Sequence, residues 1–161
     1  AAAAVAGQNL GAGNPDRAAK SVFVAARLGL GVAAIVGAMF FFLPRQLLAV
    51  FGMNEPVVVQ IGTQLLRVLS VSGLFITVAL TYTGGLQGTG DTKSPLFISI
   101  VSQVLVPLGI CFVIQRTGTL QAMHIWLAIL VGHATRCTLS VVRFNQGKWR
   151  NIAVDIGPAT Q

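Results

Sequence analysis

The sequence predicts an all-α fold, a polytopic membrane helix bundle with four transmembrane helices, and three observations carry that reading. Only 9% of the residues are charged while 54% are hydrophobic, where a soluble domain carries about 25% charged residues. Mean hydropathy is +0.77. The apolar residues also gather into four long blocks, at 18–43, 56–84, 95–115 and 120–144. Each reaches the about 20 helical residues needed to cross a hydrocarbon core of ~30 Å. Backbone groups find no water there and must pair within their own segment, so each block reads as a helix.

Residues 1–16 read as the end of a cut helix followed by a loop. Ala1 to Ala6 lack a starting Met and a basic stretch, so they are not a signal peptide. Gly-Asn-Pro-Asp at 13–16 is a turn, and Asn14 or Asp16 can cap the first span. In that span Ala25, Gly29, Ala33 and Gly37 recur every fourth residue, a small-residue stripe that lets another helix come close in lipid. The connection at 44–55 ends in the turn formers Gly-Met-Asn-Glu-Pro.

The second span holds one charge, Arg67. A central Arg costs about 3 kcal/mol on insertion scales, while each Leu, Ile, Val or Phe returns about 0.3–0.6 kcal/mol. More than a dozen such residues between Val57 and Leu80 outweigh it. Gly73, Thr77, Thr81 and Gly85 form a second stripe, with hydroxyls, which reads either as a helix contact or as the polar wall of a cavity. In the third span Ser94 reads as the cap with Pro95 first in the helix. Pro107 lacks an amide and frees the carbonyl of Gln103, which predicts a kink and makes Pro107 the hinge candidate. The fourth span carries Arg136 and Arg143 towards its end, Trp149 suits interfacial anchoring, and 145–161 read as a polar tail.

The net charge of +7 is not that of a nucleic-acid binder, because the basic residues sit at membrane ends or singly inside spans, without an aromatic-interleaved basic face. Arg17, Lys20, Lys93, Arg143, Lys148 and Arg150 share one face, against Arg45 and Arg116 on the other. That excess places both ends of the chain in the cytoplasm, with the protein in the inner (plasma) membrane. Cys111 and Cys137 have no ligand-spaced partners, so they read as structural thiols and no metal site is expected. His124 and His133 read as hydrogen-bonding groups at helix ends or interfaces. Asp91 and Thr92 separate the glycines of 84–90 from Lys93, which excludes a phosphate loop. The carboxylates, Asp16, Glu55, Asp91 and Asp155, all fall outside the spans. Enzymatic acid–base chemistry is therefore not expected, nor catalytic residues, nor a cofactor.

Four segments carry a family resemblance: Gly7-Gln-Asn-Leu-Gly-Ala-Gly-Asn-Pro-Asp16, Gln64-Leu-Leu-Arg67, Gly85-Leu-Gln-Gly-Thr-Gly-Asp-Thr-Lys-Ser-Pro95 and Arg143-Phe-Asn-Gln-Gly-Lys-Trp149. In this order the chain resembles the multidrug and toxic compound extrusion (MATE) family over nearly its whole length. The resemblance implies two six-helix lobes and export of small organic, cationic substrates in exchange for H⁺ or Na⁺ by alternating access. The chain then looks like the end of the eighth helix and helices nine to twelve. It would form most of one lobe, partnered by lipid and by the missing N-terminal lobe. Some members carry an acid at a position that looks like Ile76 here, so the coupling ion is expected to bind in the missing part. Arg67, Thr77, Thr81, Tyr82 and Gln103 are the candidates for a substrate-cavity wall. A lipid-linked saccharide flippase of related architecture and a non-transporting membrane scaffold are the alternative readings.

Overall fold

A computed structural model describes residues 2–152; the remainder of the expected tail, with Asp155, lies outside the described residues. The elements are α1 (Ala2–Gly11), α2 (Pro15–Phe42), α3 (Pro44–Val50), α4 (Pro56–Gly88), α5 (Lys93–Ile100), a π-helical turn (Val101–Leu105), α6 (Val106–Thr117), α7 (Ala122–Asn145) and a 3₁₀ turn (Lys148–Asn151). Helix α5, the π turn and α6 run on as one rod. With α2, α4 and α7 this makes four helices long and apolar enough to cross a membrane among the described residues.

Proline opens α2, α3 and α4 at Pro15, Pro44 and Pro56, where its missing N–H would have had no intrahelical partner and its fixed φ suits the first turn. Gly90 (φ 91°) and Gly147 (φ 70°) reverse the chain after α4 and α7 in a backbone region that residues with a Cβ rarely adopt.

The distribution of side chains is that of a bundle solvated by lipid. Large apolar groups such as Phe42 (75% exposed) and Leu28 (69% exposed) point outward, whereas Ser70, Ser72, Thr83, Ser102 and Ser140 are buried between helices. In lipid the outward apolar groups need no burial, and small residues let backbones approach. The two stripes read from the sequence face each other. A Cβ on Gly29 would lie 2.9 Å from Thr77 Cγ2, and one on Gly37 would lie 3.0 Å from the Ser70 carbonyl oxygen. Helices α2 and α4 are thus antiparallel and in near backbone contact. Helices α4 and α7 run parallel, with Thr83 and Ser140 hydroxyls 3.2 Å apart. The α5–α6 rod runs antiparallel to α7, with Ser102 and Pro107 against Gly132.

At the end holding both glycine-rich segments, Ala6, Ala18, Val22, Ala26, Tyr82, Leu86, Phe144 and Trp149 form the core. This motif end differs from the sequence expectation in four ways. Much of both glycine-rich segments is helical, 7–11 in α1 and 84–88 in α4, because α1 crosses α4 there: a Cβ on Gly88 would overlap the Ala3 carbonyl, and one on Gly7 the Gly88 carbonyl. The glycines serve the crossing before they serve a turn. Ser94 does not cap the third span. The helix begins at Lys93, with Pro95 as its third residue, and Asp91 Oδ1 accepts from the Ser94 amide at 3.1 Å. Asn14 stands at the start of α2 without a side-chain cap bond, its amide donating back to Ala12. Trp149 is no interfacial anchor: it is 1% exposed, stacks on Phe144 and donates from Nε1 to the Phe144 carbonyl at 2.8 Å. At the opposite end, the connection read as a loop contains α3, whose Leu48 packs against Gly62.

Candidate functional site

The wall candidates occupy four different places. Arg67 is exposed at the far end of α4, its guanidinium 5.8 Å from the Phe41 ring centroid. It borders a groove of about 540 Å³ with Arg45, Gln60, Thr63 and Gln64. Thr77 borders a second groove, of about 490 Å³, between α2 and α4, lined by small and apolar residues. Its hydroxyl donates to the Gly73 carbonyl, and that of Thr81 donates to the Thr77 carbonyl, both at 2.8 Å. Both hydroxyl protons are therefore already used within α4. Tyr82 lies apart from these, in the motif-end core, edge-on to Phe144 with ring centroids 5.3 Å apart.

Gln103 sits in the π turn, on the rod that packs against α7. The turn is the local answer to Pro107: the Val106 amide reaches back five residues to the Val101 carbonyl, so the helix widens just before the proline. Pro107 itself is buried on Gly132. Across from the turn, Gln103 Nε2 lies 3.4 Å from His133 Nδ1. The imidazole bonds the Gln103 amide in either tautomer, accepting at Nδ1 from the amide nitrogen or donating from Nδ1 to the amide oxygen when the amide is turned over. One turn on from His133 along α7 is Arg136, half-buried, with its Nε buried and without a hydrogen-bond partner among the described residues.

Gln103, His133 and Arg136 thus form a polar group well inside the span, of the two grouped around the candidate Gln103 neither chosen as a site residue from the sequence. The signal for them was present in the three-residue spacing of His133 and Arg136, which puts both on one helix face. What the sequence does not contain is the pairing of that face with the π turn. The arrangement offers hydrogen-bond donors and one fixed positive charge, and among the described residues no cluster of His, Cys, Asp and Glu could hold a metal ion.

At the motif end both Asp91 and Asp16 are paired. Arg143 donates to Asp91 Oδ2 from Nε at 3.1 Å and from Nη2 at 2.8 Å. The Asp91 side chain is 6% exposed. Burial pushes its carboxyl up, but hydrogen bonds from Ser94 and the Arg143 charge outweigh this and hold it below the ordinary carboxylate value. Arg150 and Asp16 form a second pair at 2.8 Å, far more exposed.

Comparison with known proteins adds the remaining findings. A family model described as MatE matches residues 1–113. A protein of Thermotoga maritima named "Probable multidrug resistance protein NorM" is 28% identical over 119 residues, which cover 74% of this chain and 25% of that protein. The protein of the same name in Pasteurella multocida is 27% identical over 150 residues, 91% of this chain and 32% of its own length. Human "Multidrug and toxin extrusion protein 2" is 25% identical over 124 residues, 77% of this chain and 20% of its own length. The chain spans a third or less of the length of these curated relatives.

Proposed function

Because the chain belongs to the MatE family, a family of transporters and not of enzymes, we propose that it forms part of one lobe of a multidrug exporter of small organic substrates. In this reading the protein is a secondary antiporter working by alternating access. One lobe rocks against the other about a central cavity, and H⁺ or Na⁺ binding biases which side is open. The basic residues gathered at the motif end, Arg17, Lys20, Lys93, Arg143, Lys148 and Arg150, support a reading in which the protein lies in the inner membrane with that end facing the cytoplasm. The coupling ion would be held elsewhere in the transporter, since Asp16, Glu55 and Asp91 lie at or beyond helix ends.

One observation supports a cavity wall above the others. The π turn before Pro107 loosens the backbone in mid-membrane and presents Gln103 to His133. Irregular backbone at that depth is tolerated where it lines a cavity or is covered by protein. Thr77, beside the α2–α4 groove, is the second wall position.

Efflux from vesicles containing the whole transporter tests this. Gln103→Leu and Thr77→Val together are expected to reduce drug export roughly tenfold, the order lost with one or two polar contacts. Unchanged export by the double variant would remove both residues from the wall. Vesicles in which the unaltered transporter responds to neither substrate nor ion gradient would favour a scaffold instead.

A further inference from the structure

Helix α2 has two unlike faces at the motif end. Ala18, Val22 and Ala26 point into the core. On the other side Arg17, Lys20, Val24 and Leu28 border a groove of about 570 Å³, whose opposite bank is α1 with Val5 and Asn9. Positions three and four apart share a helix face, so the four residues of α2 follow one line down the helix. The groove therefore lies on the outer flank of the bundle, behind the closed core.

Its polarity is graded along its length. Helix α1 runs towards the motif end and α2 away from it, so Asn9 is level with Arg17 and Lys20 at the mouth, while Val5, Val24 and Leu28 lie further in. Leu28 is eleven residues past Arg17, roughly 16 Å along the axis, which is about the hydrocarbon thickness of one leaflet. Val24 and Leu28 are exposed. The mouth is cationic: Asp91 is taken by Arg143 and Asp16 by Arg150, and neither Arg17 nor Lys20 has a carboxylate partner among the described residues. A smaller groove at the same end, bordered by Lys93, has one cation and not two.

A water-soluble anion would use this mouth and leave the apolar floor empty. A zwitterionic lipid would use the floor but bring its own ammonium against the two cations. An anionic lipid uses both, and basic pockets between transmembrane helices on the cytoplasmic side are bound by such head groups.

We propose that the α1–α2 groove holds one anionic phospholipid, its phosphate between Arg17 and Lys20 and an acyl chain along Val24 and Leu28. Asn9 Nδ2 donates to the Val5 carbonyl at 2.8 Å, which leaves Oδ1 to accept from a headgroup hydroxyl such as those of phosphatidylglycerol. The site goes beyond the transport reading and does not depend on what the transporter carries.

Native mass spectrometry of the whole transporter in detergent tests this, with phosphatidylglycerol or phosphatidylcholine of the same acyl chains as the titrated lipid. Each basic residue at the membrane surface favours an anionic lipid about fivefold. The unaltered protein is therefore expected to hold one phosphatidylglycerol roughly tenfold or more tighter than phosphatidylcholine. Arg17→Gln with Lys20→Gln should bring the two lipids within about twofold, and Lys93→Gln should leave the preference in place. Lys93, Arg143, Lys148 and Arg150 remain on that face in the double variant, so its insertion is expected to be unchanged. A preference that survives the double variant would overturn the proposal. An equal loss in Lys93→Gln would also overturn it, by assigning the effect to the overall positive field. No preference in the unaltered protein would mean that the rest of the transporter covers the groove. Displacement of the lipid by inorganic phosphate would reduce the mouth to a simple anion site and overturn the lipid assignment.

Discussion

The motif end and the middle of the α5–α7 contact are built from the same kinds of residue, yet one is closed and the other is not. At the motif end α1 crosses α4 on bare glycine backbone, Arg143 and Asp91 neutralise each other, and Trp149 seals the core with its indole N–H bonded. Halfway along α7 a helix has widened, an imidazole is held by one long contact, and a guanidinium nitrogen is buried alone. A bundle in lipid gains little from apolar burial, so its rigidity comes from close approach and from polar pairs. Where both are complete the region is scaffold. Where they are incomplete, the unmet groups are those that a ligand or a moving partner can use.

The strongest way to break this comparison is at the glycine crossing. Gly88→Val in the whole transporter puts a branched side chain into the Ala3 backbone, which cannot swing aside as a side chain would. The expected cost is about 3 kcal/mol or more. It would be seen as loss of the monodisperse detergent-solubilised fraction after mild heating. An unchanged profile would show that α1 is not tied to α4 as described.

Next in size is the buried ion pair. Asp91→Asn keeps the shape but removes the charge that Arg143 and the Ser94 amide meet, at a cost of about 2 kcal/mol. The pH dependence identifies the cause. Since the folded carboxyl is held below its ordinary value of about 4, its contribution is complete above that pH. It is lost as pH falls through the lower, folded value, where the unfolded chain already binds its proton. Thermal unfolding of the unaltered protein measured from pH 6 downward should therefore fall in this range, and the Asp91→Asn protein should fall less steeply. Parallel curves would assign the acid sensitivity to other carboxylates.

A smaller effect on stability, and a larger one on transport, is expected in the middle. Pro107→Ala restores an amide and removes the reason for the π turn, with stability changed by no more than about 1 kcal/mol. If the widened turn positions Gln103, efflux should drop by roughly fivefold with KM and turnover both affected, as for hinge residues. Intact efflux would make Pro107 a packing residue for Gly132 and nothing more.

The elements that the sequence made legible are those set by local rules. Hydrophobic length located the four spans, and fourfold spacing of small residues located the faces of α2 and α4 that meet. The apolar blocks at 18–43 and 56–84 begin within a few residues of α2 and α4. Glycine was misleading, because it has two uses: Gly90 makes a turn, but Gly7 and Gly88 make room between helices, and only the partner backbone tells them apart. Trp149 was misread for a similar reason. Its position near a membrane end favoured an anchor, whereas the chain reversal at Gly147 folds it back onto Phe144. The site was the least legible part. Thr77, Thr81 and Gln103 are polar residues in apolar spans and stand out by composition, but whether a hydroxyl is used by its own helix or offered to a cavity depends on side-chain direction. Arg136 carries its meaning only through what it lacks, and a missing partner is a property of the packed bundle.

The second ion pair of the motif end sharpens the comparison from the opposite side. Arg150 and Asp16 are as close as Arg143 and Asp91, at 2.8 Å, but the Asp16 side chain is 88% exposed. Water already solvates that carboxylate, so pairing replaces one good interaction with another, and the entropy of holding a long side chain offsets what remains. Asp16→Asn is therefore expected to leave thermal stability unchanged within error, at low and at high salt alike. If it destabilised the protein as much as Asp91→Asn, distance and not burial would govern these pairs, and the distinction between a closed motif end and an open middle would lose its physical basis.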